Sequence, residues 1–204
     1  MRIAVIGTGA LGSALARGWR QAAHDVVLAS RDPQSRRAVD LGVELGVGVG
    51  AVAEAVRNAD VAALATPWSA IETSIGTCGD LGGKVLLDAT NPLKPGLAGL
   101  ALGFETSGGE RVATLARGAR VVKIFNTIGA SHMANASGET MFYAGDDAAA
   151  KGVAAGLARD LGFTPVDVGA LREARLLEPL AMLWITLAYK QGLGPEISLQ
   201  LVRP

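Results

Sequence analysis

The sequence predicts an α/β protein built on a doubly wound parallel sheet. Along the first 125 residues, short apolar runs alternate with segments of helical periodicity, a pattern typical of consecutive βαβ units. The first run, residues 3–6, leads directly into a glycine-rich turn and a helix, and a second run at 26–29 closes the first βαβ unit. Doubly wound sheets use this opening to hold a ligand at the carboxyl end of the first strand.

The glycine-rich turn reads Gly-Thr-Gly-Ala-Leu-Gly, a G-x-G-x-x-G pattern between a strand and a helix. Gly7 permits the tight turn, Gly9 lets the backbone approach a pyrophosphate, and Gly12 lets the helix pack against the strand. The helix N-terminus then presents unpaired N–H groups to the phosphates. The turn therefore predicts a dinucleotide site on a Rossmann-type sheet, with these cofactor-binding residues: Gly7, Thr8, Gly9, Ala10, Leu11 and Gly12.

The end of the second predicted strand indicates which dinucleotide is bound. NAD-binding units usually carry Asp or Glu about 20 residues after the turn, where it binds the ribose 2′-hydroxyl. Here that place reads Ser30-Arg31, and a guanidinium makes paired, charge-assisted hydrogen bonds to phosphate oxygens. We therefore predict NADP(H), with Ser30 and Arg31 on the 2′-phosphate and with added positive charge from Arg36 and Arg37.

The remaining elements follow from the same periodicities. The predicted strands are 3–6, 26–29, 47–49, 61–65, 85–88 and 121–125, and the helices between them are 10–23, 33–45, 51–58, 68–79 and 107–118. Beyond these we predict a strand at 141–144, a helix at 147–161 capped by Asp146, a strand at 164–168 and a helix at 171–191.

We expect a single domain over 1–204, in which 141–204 forms a small C-terminal extension that completes the ligand cleft. Residues 179–189 of the last predicted helix are apolar on nearly every face. A helix that is apolar all round is buried on all sides. We therefore expect this helix to pack on the sheet and also against a second subunit, an apolar ligand or both, and we predict a homodimer.

Composition limits the partners. The formal net charge is zero and aromatic residues make up only 4%, which gives no basis for binding nucleic acid or an anionic membrane surface. Cys78 is the only cysteine, which excludes an intramolecular disulfide and a cysteine-based metal site. No apolar run approaches the roughly 18 residues of a spanning helix. We expect a cytoplasmic protein that binds small molecules, with no metal.

Side chains that follow the later strands form the rest of the predicted site, because ligands bind beyond the carboxyl ends of such sheets. Pro67 and Trp68 can wall an apolar slot for nicotinamide, and the amides and hydroxyls can hydrogen-bond a carboxamide or a heterocycle edge. Besides the residues above, we predict cofactor contacts from Thr66, Pro67, Trp68, Ala89, Asn91, Pro92, Thr127, Ile128 and Ala130. The residues predicted nearest to the reacting atoms are Asn126 and Thr127.

No obvious acid or base accompanies these residues. A ketone reductase needs a proton donor near the developing alkoxide, but a Tyr-x-x-x-Lys pair does not occur here, and only His24 and His132 could otherwise serve. This pattern favours direct hydride transfer between two stacked cofactors, in which the protein supplies orientation and excludes water.

Ordered motifs along nearly the whole chain resemble the NADPH-dependent F420 reductases: GTGALGSALA, ASRD, TPW, LLDATNPL, VVKIFNTIGA and LREARLLEPLAMLWITLAYKQGLG. The resemblance implies a Rossmann domain with a small C-terminal extension, usually a homodimer, and hydride transfer between C4 of NADPH and C5 of the deazaflavin F420. It implies that residues 8–11 bind the pyrophosphate, that Trp68 and Ala130 lie on the nicotinamide side, and that Ile128 and the C-terminal helix face the deazaflavin.

One segment departs from those reductases, which tend to have His-Thr-Ile-Pro-Ala where this chain has Asn-Thr-Ile-Gly-Ala at 126–130. The Phe-Asn-Thr and Asp-Ala-Thr-Asn-Pro segments are more similar to the cytosolic reductase domain of the six-transmembrane metalloreductases, which passes hydride from NADPH to a flavin. Candidate partners for the anionic tail of F420 are Lys94, Lys123, Arg172 and Arg175.

Three functions therefore stay open. The first is hydride transfer between NADP(H) and F420. The second is NADPH-dependent reduction of a flavin or of a small C=N or C=C substrate; imine and pyrroline-carboxylate reductases share the opening motif but usually add a long helical dimerisation domain. The third is a non-catalytic sensor that binds NADP(H) without turnover.

Overall fold

A computed structural model of the protein describes residues 1–202, which fold around one eight-stranded sheet. The strands are β1 (Arg2–Ile6), β2 (Asp25–Ser30), β3 (Gly48–Ala51), β4 (Val61–Leu64), β5 (Val85–Asp88), β6 (Arg120–Lys123), β7 (Thr140–Gly145) and β8 (Thr164–Asp167). Their spatial order is β3-β2-β1-β4-β5-β6-β7-β8. Every neighbouring pair is parallel except β6 and β7, so the predicted doubly wound α/β fold is confirmed.

Seven α-helices cover the sheet in the described part of the chain: α1 (Ala10–Gln21), α2 (Arg36–Leu45), α3 (Val52–Asn58), α4 (Ile71–Gly76), α5 (Gly108–Leu115), α6 (Ala148–Asp160) and α7 (Ala174–Ile185). A single π-helical turn continues α7 over Thr186–Lys190. None of the helices within residues 1–202 is both long and apolar enough to cross a membrane.

The two faces of the sheet carry separate hydrophobic cores, and β1 contributes alternate residues to each. Ile3 and Val5 pack in the core shared with α1 and α6, whereas Ala4 and Ile6 pack in the core shared with α3, α4 and α5. This alternation is the side-chain period of a strand covered on both faces. The first core also holds Trp19, which is fully buried and whose indole N–H donates to a carbonyl of α6 at 3.1 Å.

Several predicted boundaries are wrong. Strand β6 ends at Lys123, not at residue 125, because Phe125 adopts a left-handed backbone conformation with φ 64°. The cap of α6 is Asp147, whose side chain accepts from the Ala150 N–H at 2.7 Å. Asp146 instead accepts from the N–H of Leu171 at 2.9 Å. The helix predicted at 68–79 is a short 3₁₀ turn at Trp68–Ala70 followed by α4.

The C-terminal helix is also less uniform than predicted. Residues 171–173 form a 3₁₀ turn before α7. One face of α7 is buried, but Leu176 and Leu183 are 64% and 50% exposed. Within residues 1–202 this helix is therefore apolar on a face that the same chain leaves uncovered.

Candidate cofactor-binding site

The three glycines of the turn after β1 have different surroundings. Gly7 has φ +126°, and a Cβ there would lie 2.4 Å from Ala65 O. A Cβ on Gly12 would lie 2.1 Å from Gly7 O, whereas one on Gly9 would meet no described atom within 4 Å. The backbone and its packing therefore require Gly7 and Gly12, while Gly9 borders open space. That is the arrangement in which a ligand, not the protein, approaches the second glycine.

Helix α1 begins directly at this turn. Its N-cap is Gly9, without a side-chain hydrogen bond within the described chain, and its first turn carries no acidic residue. The first N–H groups of a helix have no intrahelical partner, and with the partial positive charge of the helix end they form a natural anion site.

A cavity of about 600 Å³ lies in front of this helix end. The glycine turn, the end of β2 and the segment after β4 together form its walls. The sequence-predicted residues that line it are Gly7, Thr8, Gly9, Ser30, Arg31, Arg37, Thr66 and Pro67. Its volume is in the range of small-molecule and cofactor sites.

The positive charge at the β2 end of this cavity comes from Arg31 and Arg37. Both line the cavity, and Arg37 Nη2 lies 3.5 Å from Thr8 O. Ser30 Oγ donates to Asp32 O at 2.9 Å, so its only proton is already engaged in a turn. Arg36 lines a neighbouring depression with Ala10 and pairs with an aspartate of its own helix.

Trp68, predicted on the nicotinamide side, and Pro92, predicted as a cofactor contact, meet at the start of α5. A Cβ on Gly108 would lie 3.2 Å from both Trp68 Cζ3 and Pro92 Cδ, so the indole and the pyrrolidine flank the same helix end. Ala89 and Ile128 have buried side chains in the core shared with α1. Ala130 opens a 3₁₀ turn after β6, and Leu11 packs from α1 against the same core.

Two asparagines interlock the ends of β5 and β6. Asn126 Nδ2 donates to Asn91 Oδ1 at 3.0 Å and to Leu177 O at 3.2 Å, and Asn91 Nδ2 donates to Asn126 O at 2.9 Å. Because both N–H groups of Asn126 have acceptors, the orientation of its amide is fixed. Its Oδ1, and Oγ1 of Thr66, are buried with no hydrogen-bond partner among residues 1–202. Thr127 is also buried.

A buried ion cluster, formed by Lys123, Asp88 and Glu178, lies next to these strand ends. Lys123 Nζ contacts Asp88 Oδ2 at 3.0 Å and Glu178 Oε1 at 2.9 Å, and all three side chains are at most 1% exposed. Lys123 Nζ also donates to Thr90 O at 2.6 Å. Burial by itself lowers the pKa of Lys123, but the charges of the two carboxylates outweigh it and raise that pKa above its ordinary value. The two carboxylates therefore favour the charged form of the lysine.

The carboxylates of this cluster have further donors. Glu178 accepts from the N–H groups of Gly108 and Gly109 at 2.8 and 2.9 Å, which caps α5. Asp88 Oδ1 accepts from Thr90 N–H at 2.9 Å and from its hydroxyl at 2.7 Å.

Sequence reasoning missed Glu178, because it lies just before the apolar run 179–189 and no nearby residue in the sequence indicates its distant partner. The expectation that Lys123 meets an anionic tail is wrong, since its ammonium is fully enclosed. Of the other three candidates for that tail, Arg175 is paired with Glu110 at 2.7 Å, and the hydrogen bonds from Arg175 lower the pKa of that carboxyl.

Both histidines of the chain face carboxylates. His24 Nε2 lies 3.0 Å from Asp160, and His132 Nδ1 lies 3.0 Å from Glu139. No group of three or more His, Cys, Asp or Glu side chains in the described part of the chain is arranged to hold a metal ion.

Comparison with known proteins identifies the family. Residues 2–92 match the family model described as NADP oxidoreductase, coenzyme F420-dependent. The metalloreductase STEAP3 of Rattus norvegicus is 30% identical over 184 residues, which are 89% of this chain and 36% of that protein. The chain therefore spans little more than a third of the length of this relative.

Two solved structures are similar over nearly the whole chain. A candidate F420-dependent NADP-reductase from Arthrobacter sp. FB24 is 30% identical, with 100% of each chain covered and a TM-score of 0.90. A reductive aminase from Aspergillus terreus, solved with NADPH4, cyclohexanone and allyl amine, is 25% identical with a TM-score of 0.64, over 94% of this chain and 62% of that one. Both resemblances inferred from the motifs, to the F420 reductases and to the metalloreductases, are confirmed, and the chain belongs to the F420-dependent NADP oxidoreductase family.

Proposed function

We propose that this protein transfers hydride directly between NADP(H) and the deazaflavin coenzyme F420. The observation that carries the proposal is the single cavity that joins the uncapped N-terminus of α1 to Arg31 and Arg37. This cavity offers an anion site for a pyrophosphate and, at its other end, guanidinium groups for a 2′-phosphate. The open space beside Gly9 fits such a ligand, as does Oγ1 of Thr66, which has no hydrogen-bond partner in the described part of the chain.

Each part of the cavity has a role in holding NADP(H). The N–H groups at the start of α1 would bind the pyrophosphate, and Arg31 with Arg37 would bind the 2′-phosphate. We propose no phosphate contact for Arg36, because it lines the neighbouring depression and pairs with Asp40 at 3.5 Å. When bound, the nicotinamide supplies the hydride. The chain itself supplies orientation and the exclusion of water.

On the side of the hydride acceptor, we propose a hydrogen-bonding contact rather than an acid or a base. The Oδ1 atom of Asn126 is held in place by the two bonds of its Nδ2, and no group among residues 1–202 donates to it. A buried acceptor without a donor costs free energy, on the order of 1–3 kcal/mol. We therefore propose that it accepts an N–H from the carboxamide or from the edge of the acceptor ring. The choice of F420 as acceptor is supported by the family model and by the name of the Arthrobacter protein.

We also propose that the working form is a homodimer. An apolar cavity of about 460 Å³ lies between residues 100–104 and α7, and around it Phe104 and Leu183 are 91% and 50% exposed. A second copy of the chain would cover this surface. Leu183→Glu should convert the dimer to a monomer in light scattering coupled to gel filtration, whereas Val43→Glu, an exposed position on α2, should not. A monomeric wild-type protein would contradict the proposal.

An anaerobic assay tests the function. Purified protein is mixed with NADPH or NADH, and F420, FMN, FAD and a cyclic imine are offered in parallel. Bleaching of F420 with NADPH and not with NADH supports the proposal. Turnover of only the flavins would contradict F420 as acceptor and favour the metalloreductase-like alternative, and turnover of only the imine would favour C=N reduction. NADPH binding without turnover of any acceptor would favour the sensor.

A further inference from the structure

The buried ion cluster makes no proposed contact with NADP(H) or with the hydride acceptor, although it lies next to the strand ends of the candidate site. Its lysine is fully enclosed, so it cannot touch a substrate or donate a proton to one. Every N–H of the lysine ammonium has an acceptor, and both carboxylates have further donors from the backbone. Such a network is fully satisfied, so it holds one geometry.

Stability alone does not account for this cluster. Removing charges from water is expensive, and well-packed apolar side chains of similar volume often stabilise a protein as well or better than a buried ion pair. A buried, fully hydrogen-bonded ion cluster does fix the relative placement of the segments that carry it. Here those segments are the ends of β5 and β6, the N-terminus of α5 and the middle of α7.

The same segments carry the two sides of the proposed reaction. The residues that follow β5 and β6 include Asn91 and Asn126, and Asn126 is bonded to the α7 carbonyl of Leu177, the neighbour of Glu178. Further along the buried face of α7, the indole of Trp184 lies against Gly129, where a Cβ would approach the ring to 2.8 Å. A shift of α7 at Glu178 would therefore move Trp184 against the loop after β6.

We infer that Lys123 and Glu178 are positioning residues, which hold α7 in register with the ends of β5 and β6 and so fix the spacing between the nicotinamide side and the acceptor side. This inference rests on the proposed function. It assigns to the cluster a role in the rate of hydride transfer that is separate from the binding of NADPH, because the proposed phosphate-binding groups lie at the start of α1, just after β2 and on α2.

Glu178→Gln tests the inference, since it removes the charge and keeps the size of the side chain. The matched control is Arg111→Gln, which removes another ion pair of α5, the one with Glu72 of α4 at 2.7 Å, at an exposed position. Three quantities are measured on the full chain: the Kd of NADPH by nicotinamide fluorescence, the single-turnover rate of F420 reduction, and amide hydrogen exchange of 124–130 and 174–188 in the NADPH complex.

In Glu178→Gln we expect the Kd to stay within about twofold while the single-turnover rate falls on the order of ten- to a hundredfold, the effect of a small displacement of reacting groups. Exchange should accelerate in both segments. The control should change the rate by less than about twofold, as expected for an exposed pair. An equal loss of rate in the control, or a weaker NADPH affinity with an unchanged rate, would overturn the inference.

A second variant and a readout that needs no acceptor cover the two ways in which this experiment could fail. If Glu178→Gln does not fold, the double variant Lys123→Met with Glu178→Gln leaves the net charge of the cluster unchanged and is subject to the same criteria. If the wild-type protein turns over no acceptor, the proposed function fails, and hydrogen exchange alone decides the positioning role. Faster exchange in both segments in Glu178→Gln, but not in Arg111→Gln, would still support it, and unchanged exchange would overturn it.

Discussion

Arg31→Asp should remove most of the preference for NADPH over NADH. Arg31 lines the cavity at the end of β2, where Ser30 has its proton engaged in a turn, so the arginine is the main candidate for the 2′-phosphate. A hydrogen bond to a charged group contributes about 1.5–3 kcal/mol, or roughly 10- to 150-fold in affinity at 1.4 kcal/mol per factor of ten. Because Arg31 is exposed and Arg37 remains, we expect the lower part of that range, about 10- to 40-fold.

The assay is a fluorescence titration of each variant with NADPH and with NADH, so it needs no acceptor. Arg117→Asp is the control, because it makes the same charge change at an exposed residue in the turn between α5 and β6, at the amino-terminal end of that strand and away from the cavity. An unchanged ratio of the two Kd values in Arg31→Asp would refute the NADP assignment. An equal change in Arg117→Asp would show that net charge, not a phosphate contact, sets the preference.

Gly9→Ala should keep the melting temperature of the wild type but weaken NADPH binding at least tenfold in a titration, because the added Cβ meets only open space where the pyrophosphate would lie. Gly12→Ala should instead lower the melting temperature, because its Cβ would overlap the backbone of the turn. Trp184→Ala should slow acceptor turnover and lower the free energy of unfolding by about 3–5 kcal/mol, while the Kd of NADPH changes less than about twofold. Normal turnover in this variant would show that the indole is only a core residue. Burial raises the pKa of the Cys78 thiol to about 11. The stabilisation from keeping the thiol neutral is therefore present below its ordinary pKa and lost as the pH rises toward 11, so the free energy of unfolding should fall more steeply over pH 9–11 in the wild type than in Cys78→Ala.

Local sequence patterns were sufficient to predict the sheet and most of the cavity proposed to bind NADP(H). The glycine turn is set by contacts within a few residues or with the neighbouring strand, as for Gly7 and Gly12, and such requirements are visible in the sequence. Which of Arg36 and Arg37 lines the cavity was not visible in the sequence. The helix that carries them begins at residue 36 and not at 33, and one residue turns a side chain by about 100° around a helix.

The acceptor side depends on contacts between distant segments, which periodicity cannot show. Lys123 lies in an apolar strand, and its enclosure depends on a carboxylate that follows 55 residues later in an apolar helix. The end of β6 was misplaced for a similar reason. Phe125 keeps its left-handed backbone because its ring is buried against Trp19, with the ring centroids 5.6 Å apart, and strand propensity alone favours continuing the strand.

The fate of a deuterium label tests the central proposal, direct hydride transfer from NADPH to F420, most directly. F420 is reduced anaerobically in ordinary water with each of the two C4-deuterated diastereomers of NADPH, and the product is analysed by mass spectrometry. The account predicts that one diastereomer gives reduced F420 with one deuterium at C5 and that the other gives none. Loss of the label to solvent with both diastereomers, or no reduction of F420, would contradict it.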